Sequence, residues 1–286
     1  MATALDDLRG QVMVITGANT GLGRHSARQL AERGARVILA CRSRDKTEPV
    51  LAEIRAAAPT APPPTFVHLD LASLASVRAC AEGLLASEPT IDVLINNAGV
   101  AGQRGITADG FELQFGVNHV GHYLWTRLLL PRVTRRLVIV ASNSHRKARA
   151  IDWDAVRRPT ATVVGIKEYE VSKLCNVLMQ RELTRRLGPG AAVHTYALNP
   201  GRVATDAWRR MPAPVRFIAK RFMLTSEQGG AFVTTAAADP AIASHTGRYY
   251  HRGVEQPPSA LGQRDDLALE LWDRTADWVG LPRDGI

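Results

Sequence analysis

Val12-Met13-Val14-Ile15-Thr16 runs directly into Gly17-Ala18-Asn19-Thr20-Gly21-Leu22-Gly23, and an Ala-rich helical pattern follows through Arg33. The first segment does not alternate, as expected of a strand buried on both faces. Strand, glycine turn and helix in this order are the context in which a glycine motif gains meaning. Gly17 permits the tight turn, Gly21 lets the backbone approach a pyrophosphate, and Gly23 lets the helix pack close to the sheet. The helix N-terminus, with Asn19, Thr20 and Leu22 around it, then faces the anion. A purely structural βα turn is the competing reading, and the spacing differs from the widespread G-x-G-x-x-G. Outward from this stretch, strand-like and helical runs alternate. Further strands are expected at Arg36–Cys41, Phe66–Asp70, Val93–Asn96, Arg136–Ala141, Val193–Leu198 and, more briefly, Gly247–Tyr250. Helices are expected over Asp45–Ala58 and Glu168–Leu187. The pattern predicts an α/β protein with one doubly wound parallel sheet of about seven strands and helices on both faces. No repeat or linker divides the chain, so residues 1–286 read as one domain.

The 286 residues suffice for one large α/β core. Hydrophobic and charged contents of 45% and 22% are ordinary for a globular protein. No run reaches the roughly 18 apolar residues of a membrane span. Met1-Ala2-Thr3-Ala4-Leu5-Asp6-Asp7 lacks a signal-peptide pattern. Cys41, Cys80 and Cys175, odd in number and without metal-type spacing, read as reduced thiols of a cytoplasmic protein. The net charge of +9 would suit nucleic acid or an anionic membrane. Its arginines are scattered, however, and no nucleic-acid module accompanies them. A basic surface that attracts a phosphorylated cofactor is the simpler reading. His25, His68, His194, His245 and His251 lack metal-ligand spacing, so no metal is expected.

The second informative feature is Lys167-Glu168-Tyr169-Glu170-Val171-Ser172-Lys173. On a helix, Tyr169 and Lys173 share a face. At an effective dielectric of about 20 and roughly 5 Å, an ammonium would stabilise a phenolate by about 3 kcal/mol. The tyrosine pKa would fall from about 10 towards 7.5, suiting general acid–base work.

Thr16-Gly17-x-x-x-Gly21-x-Gly23, Asn96-Asn97-Ala98-Gly99, Asn118, Ser142, Tyr169-x-x-x-Lys173 and Asn199-Pro200-Gly201 occur in this order and at suitable distances. On these residues the chain, from about Leu8 to Tyr250, resembles the short-chain dehydrogenases/reductases of the single-domain Rossmann type. The resemblance implies a catalytic set. Ser142, closing the fifth strand, would hydrogen-bond the substrate carbonyl oxygen, with Ser144 as a competing candidate. Tyr169 would exchange the proton with that oxygen. Lys173 would lower the Tyr169 pKa and bind the nicotinamide ribose. Asn118 would kink its helix and hold a water leading from Lys173 to solvent. It also implies that Asn97, Ala98 and Gly99 border the adenosine ribose and that Asp70 and Leu71 contact the adenine. Asp70 could equally cap the following helix, with Ser73 as competitor. Pro200, Val203 and Thr205 belong to the segment that would bind the nicotinamide carboxamide.

Cofactor choice can be argued physically. NAD-selective sites place a carboxylate at the end of the second strand to accept the ribose 2′-OH. Here that position is Cys41, followed by Arg42-Ser43-Arg44. No carboxylate repels a 2′-phosphate, and Arg42, aided by Ser43, can bind one through charge-assisted contacts. NADP(H) is therefore expected, although Arg42 could be a solvated loop residue.

The 27-residue separation from Ser142 to Tyr169, Asn118-His119-x-Gly121-His122 and Ser172-Lys173-Leu174-x-Asn176 are similar to the retinol dehydrogenase and protochlorophyllide reductase branch. Ala141-Ser142-Asn143 and the acidic neighbours Glu168 and Glu170 depart from it and leave substrate identity open. The resemblance implies that residues 202–226 form a substrate lid, which interleaves Trp208, Phe217 and Phe222 with Arg209, Arg216 and Arg221. An apolar lid suggests an apolar or polycyclic carbonyl compound or alcohol. Core packing and peripheral contact with an anionic membrane are rival readings. A helix over 265–279 is expected to pack or to make a subunit contact. A homodimer through the helices around Asn118 and Tyr169 is one expectation, which that helix could replace. The reading is thus an NADPH-dependent carbonyl reductase. Alternatives on the same scaffold are C=C reduction, non-redox isomerisation, or NADP(H) sensing without turnover.

Overall fold

The opening apolar run forms β1 (Val12–Thr16), and its last four residues are buried, as a strand covered on both faces requires. The structure is a computed structural model that describes residues 7–201 and 224–286. After β1 come α1 (Gly21–Ala31), β2 (Arg36–Cys41), α2 (Arg44–Ala57), β3 (Thr65–His68), α3 (Leu74–Ser87) and β4 (Ile91–Asn96). A single turn, α4 (Leu113–Phe115), leads through a π-helical turn (Gly116–Val120) into α5 (Gly121–Leu129). Then follow β5 (Val133–Val140), α6 (Ile166–Leu187), β6 (His194–Asn199), α7 (Ser226–Ala238), β7 (Arg248–His251), β8 (Val254–Glu255) and α8 (Asp265–Val279). The lid expected over 202–226 falls almost entirely outside the described residues, as do Val203 and Thr205.

The sheet order is β3-β2-β1-β4-β5-β6-β7-β8, parallel except for β8. Alternate residues of each strand point to opposite faces, and two cores result. Val14, Ile38, Leu94 and Leu137 meet Val77 of α3, Tyr123 of α5, Leu174 of α6 and Trp272 of α8. Met13, Ile15, Leu39, Ile95 and Val138 meet Leu30 of α1, Ile54 of α2 and Val233 of α7. The chain winds outward in both directions from β1 and β4, so their carboxyl ends flank a topological switch point, where open α/β sheets bind ligands.

The expected seventh strand is present, and an eighth was not foreseen. Arg252 and Gly253 both take positive φ (52° and 79°), the backbone of a tight hairpin turn that folds β8 back on β7. α6 starts two residues before the expected Glu168, because Gly165 at φ +62° turns the chain into it. β5 stops at Val140, so Ser142 does not close that strand. It instead precedes a 3₁₀ turn over Asn143–Lys147.

Candidate functional site

At the carboxyl end of β1 the glycine turn and the segment after β4 are in intimate contact. Gly17 adopts φ +65°, and a Cβ there would lie 2.9 Å from Ala98. A Cβ on Gly23 would lie 2.5 Å from Asn97 Nδ2 and 2.6 Å from the Gly17 carbonyl. Asn97 Nδ2 donates to the carbonyls of Thr16 (2.8 Å) and Gly17 (3.3 Å). The Thr16 hydroxyl accepts from the backbone amides of Asn97 and Ala98, both at 3.0 Å. The two loops thus brace one another and leave the N-terminus of the 11-residue α1, which has no acidic residue in its first turn, free of a repelling charge. That is a cradle suited to a pyrophosphate.

At the end of β2 the structure separates three neighbouring residues by role. Ser43 caps α2, its Oγ accepting from the Lys46 amide at 3.4 Å. The Arg44 guanidinium stacks over Phe66, 4.5 Å from the ring centroid. Arg42 is exposed and has no ion pair or hydrogen bond among the described residues. The Cys41 side chain is buried against the backbone amides of Gly17, Ala18 and Asn19, and burial raises its pKa. The guanidinium available for an anion here is that of Arg42, and Cys41 brings no competing charge.

Asp70 does not cap α3. Ser73 does, accepting from the Ser76 amide, while Asp70 Oδ1 takes the Ala72 amide (3.0 Å) in a local turn. The side chain of Leu71 is buried in the core, and its carbonyl lies 2.4 Å from where a Gly121 Cβ would stand. Leu71 can therefore face a base only through its backbone. Pro200 is buried just beyond β6, and Asn199 Oδ1 accepts from the Gly201 amide at 3.3 Å.

The four expected catalytic residues converge on the same edge. Lys173 is buried on α6, and its Nζ donates to the Val140 carbonyl at 2.9 Å. A Cβ on Gly99 would lie 3.5 Å from that Nζ and 3.3 Å from Asn118 Oδ1, so the turn after β4 passes close to both. Asn118 occupies the π-helical turn, a distortion frequent at functional sites. Its Oδ1 accepts from the Val100 amide (2.8 Å), and its Nδ2 donates to the Val100 carbonyl and to Ser172 Oγ (both 2.9 Å). Both amide hydrogens are thereby used within the protein, so the side chain could meet a water only as an acceptor. The Tyr169 phenol faces the Ser142 side chain, which acts to lower its pKa. Ser142 Oγ in turn accepts from the Ser144 amide (3.1 Å), which gives Ser144 a backbone supporting role.

The electrostatic expectation for Tyr169 needs correction. Burial raises its pKa above the ordinary phenol value, and the neighbouring Ser142 only partly opposes this. The Lys173 Nζ is 5.8 Å from the ring centroid, and its hydrogen bond goes to Val140 rather than to the phenol oxygen. Burial also lowers the Lys173 pKa to about 8. A helical i,i+4 spacing brings the pair onto one face, but desolvation of the phenolate outweighs the charge at that distance.

Two features escaped the sequence reading. The loop before α6 is clamped: Glu168 accepts from the Ala161 and Thr162 amides (3.1 and 2.8 Å), and Gln114 Nε2 donates to the Gly165 carbonyl (2.5 Å). The acidic neighbour of Tyr169 is thus tied into its loop. The second is His122, buried between Thr16 and Asn118. Its position four residues after Asn118 was the available signal. The flank of α5 and α6, expected as a pairing surface, is occupied by α8 of the same chain. Trp272 meets Tyr123 edge-on at 4.8 Å, and Arg181 pairs with Asp265 at 2.7 Å. Among the described residues, no group of His, Cys, Asp and Glu is placed to hold a metal, and no helix is long and apolar enough to cross a membrane.

The chain is similar to known proteins over nearly its whole length. The bovine dehydrogenase/reductase SDR family member 13 is 41% identical over 97% of this chain and 75% of its own length. Human retinol dehydrogenase 11 is 38% identical over 99% of this chain and 90% of its own. The crystal structure of an uncharacterised protein from Mycobacterium paratuberculosis, 33% identical, superposes with a TM-score of 0.77 over 97% of this chain and 96% of that one. The family profile described as short chain dehydrogenase matches residues 11–215. With most of its length matched in this way, the chain belongs to the short chain dehydrogenases, NAD(P)H-dependent oxidoreductases.

Proposed function

We propose that the protein is an NADP(H)-dependent oxidoreductase that interconverts the carbonyl and alcohol forms of an apolar small molecule. The observation that carries this reading is the meeting of the half-buried Tyr169 phenol with Ser142, on the helix whose Lys173 lies beside the turn after β4. NADP(H), when bound, supplies or accepts the hydride. The residues present fit it. Gly17, Asn19, Thr20, Gly21, Leu22 and Gly23 would cradle its pyrophosphate. Arg42 and Ser43 would meet its 2′-phosphate, and Asp70, Leu71, Asn97, Ala98 and Gly99 would flank its adenosine. Pro200 would border its carboxamide, as would Val203 and Thr205, which lie outside the described residues.

The remaining steps belong to the chain. Ser142 donates a hydrogen bond to the carbonyl oxygen and orients it. Tyr169 holds its proton through neutral pH, because burial raises its pKa, and so it is set to deliver that proton to the oxygen. Lys173, with a pKa near 8, is cationic at pH 7 and can hold ribose hydroxyls while anchored on Val140. The substrate class is read from the loop leading into α6. Val163, Val164 and Ile166 are 82%, 54% and 54% exposed, within six residues of Tyr169 along the chain. Such a rim favours an extended apolar alcohol or aldehyde, the kind of compound named in the retinol dehydrogenase relatives.

The test is loss of NADPH absorbance with a panel of aliphatic, aromatic and polyene carbonyl compounds, using wild type and Tyr169→Phe. Wild type should turn over the apolar members, and the variant should bind NADPH equally while losing at least about 100-fold in kcat. A wild type that binds NADPH tightly and reduces nothing would replace this reading with cofactor sensing.

A further inference from the structure

The Thr16 hydroxyl has two lone pairs and one hydrogen to place. The amides of Asn97 and Ala98 occupy the lone pairs. Two acceptors compete for the hydrogen, the Ile95 carbonyl at 3.4 Å and His122 Nε2 at 2.9 Å. The shorter contact takes it, so Nε2 is an acceptor without a proton. The proton of the imidazole then sits on Nδ1, which faces the Asn118 carbonyl at 3.1 Å and donates to it. The opposite tautomer would ask Thr16 to accept a third hydrogen bond and would set the Nδ1 lone pair against a carbonyl lone pair. The imidazolium meets the first of these objections, and full burial beside Lys173 lowers the His122 pKa to about 3. One arrangement therefore satisfies every atom.

We infer that His122 is a positioning residue: a neutral, Nδ1-protonated imidazole that ties the Thr16 hydroxyl bracing the Asn97–Ala98 turn to the Asn118 carbonyl in the π-helical turn. The inference rests on the proposed reading of the site, since it links the cofactor shelf to the catalytic helices. A π turn shifts the hydrogen-bond ladder by one residue, so the exact placement of Asn118 depends on side chains. Asn118 in turn holds Val100 and Ser172, the latter three residues from Tyr169. Thr16 governs one end and Asn118 the other, and the imidazole is the rigid spacer between them. The imidazole spans both contacts at once, its donor and acceptor nitrogens held in one rigid ring.

Two conservative variants divide the tie. His122→Asn can keep a donor near the Nδ1 position and loses the acceptor for Thr16. His122→Gln can reach the Nε2 position and loses the donor to Asn118. Asn should weaken NADPH binding several-fold, measured by fluorescence titration, with kcat little changed. Gln should lower kcat about 10-fold, a loss of about 1.4 kcal/mol in transition-state stabilisation, with NADPH affinity kept. Nitrogen NMR of the wild type should show a protonated Nδ1, an unprotonated Nε2 and no titration of His122 between pH 5 and 9. An Nε2-protonated ring would overturn the assignment. So would two variants that melt lower yet match wild type in NADPH affinity and in kcat, because the role would then be structural only. The binding and NMR measurements need no turnover, so an inactive wild type would count against the proposed reaction and leave these outcomes decisive for the tie.

Discussion

Replacing Lys173 with Met should make the protein more stable at neutral pH and inactive at the same time. The Lys173 side chain is 4% exposed, and burial lowers its pKa from 10.5 to about 8. Below pH 8 both the folded and the unfolded chain carry the proton, so the folded state bears the whole cost of burying the charge. At about 1.36 kcal/mol per pH unit, a fall of about 2.5 units corresponds to roughly 3 kcal/mol. Between pH 8 and 10.5 the folded lysine releases its proton while the unfolded one keeps it. Wild-type stability therefore rises with pH across that window, and the cost has gone above it. Met keeps an unbranched chain in the same space without the charge. It gives up the bond to Val140, worth about 1–2 kcal/mol if the carbonyl is left unpaired. The net gain at pH 7 is about 1–2 kcal/mol, or roughly 2–8 °C in Tm for a chain of this size. At pH 10.5 the gain should vanish or reverse. Thermal unfolding by circular dichroism at pH 7 and pH 10.5, without added nucleotide, reads both values. A Met variant that melts below wild type by the same amount at both pH values would refute the claim that a desolvated ammonium sits at this position.

Arg42→Ala should raise KM for NADPH by at least about 10-fold, as loss of a charge-assisted phosphate contact requires, and leave KM for NADH within about two-fold. Equal effects on both cofactors would show that Arg42 does not read the 2′-phosphate. Gly23→Ala places a Cβ 2.5 Å from Asn97 Nδ2, so urea unfolding should show a loss of about 1–3 kcal/mol together with weaker NADPH binding. An unchanged midpoint would mean that the turn after β4 yields freely.

Much of the fold was legible because buried parallel strands write themselves as unbroken apolar runs. Val12–Thr16 and Arg36–Cys41 fall where expected, and α8 keeps its expected limits. The misses have local causes. β8 depends on two consecutive positive-φ residues, one of them Arg252, which composition does not advertise. The start of α6 depends on Gly165 and on the clamp through Glu168, whose partners lie six and seven residues upstream. In the candidate site, which side chains would lie together was readable and energies were not. The Tyr169–Lys173 spacing announces a shared face, but the sign of the tyrosine shift depends on how dry the phenol is and where the ammonium points. His122 was hidden for a related reason: its partner Thr16 lies 106 residues away and belongs to a motif valued for its glycines.

The docking of α8 on α5 and α6 has a consequence for how the molecule is made. More than seventy residues separate the end of α6 from the start of α8, so translation delivers the flank carrying Tyr123 well before the helix that seals it. Until Trp272 arrives, that flank is a bare apolar wall on a nascent chain, the kind of surface that invites a chaperone or a stray neighbour. A stop codon ahead of Asp265 would make this interval permanent, with every residue of the proposed reaction still encoded and the protein lost to aggregation rather than to a chemical defect.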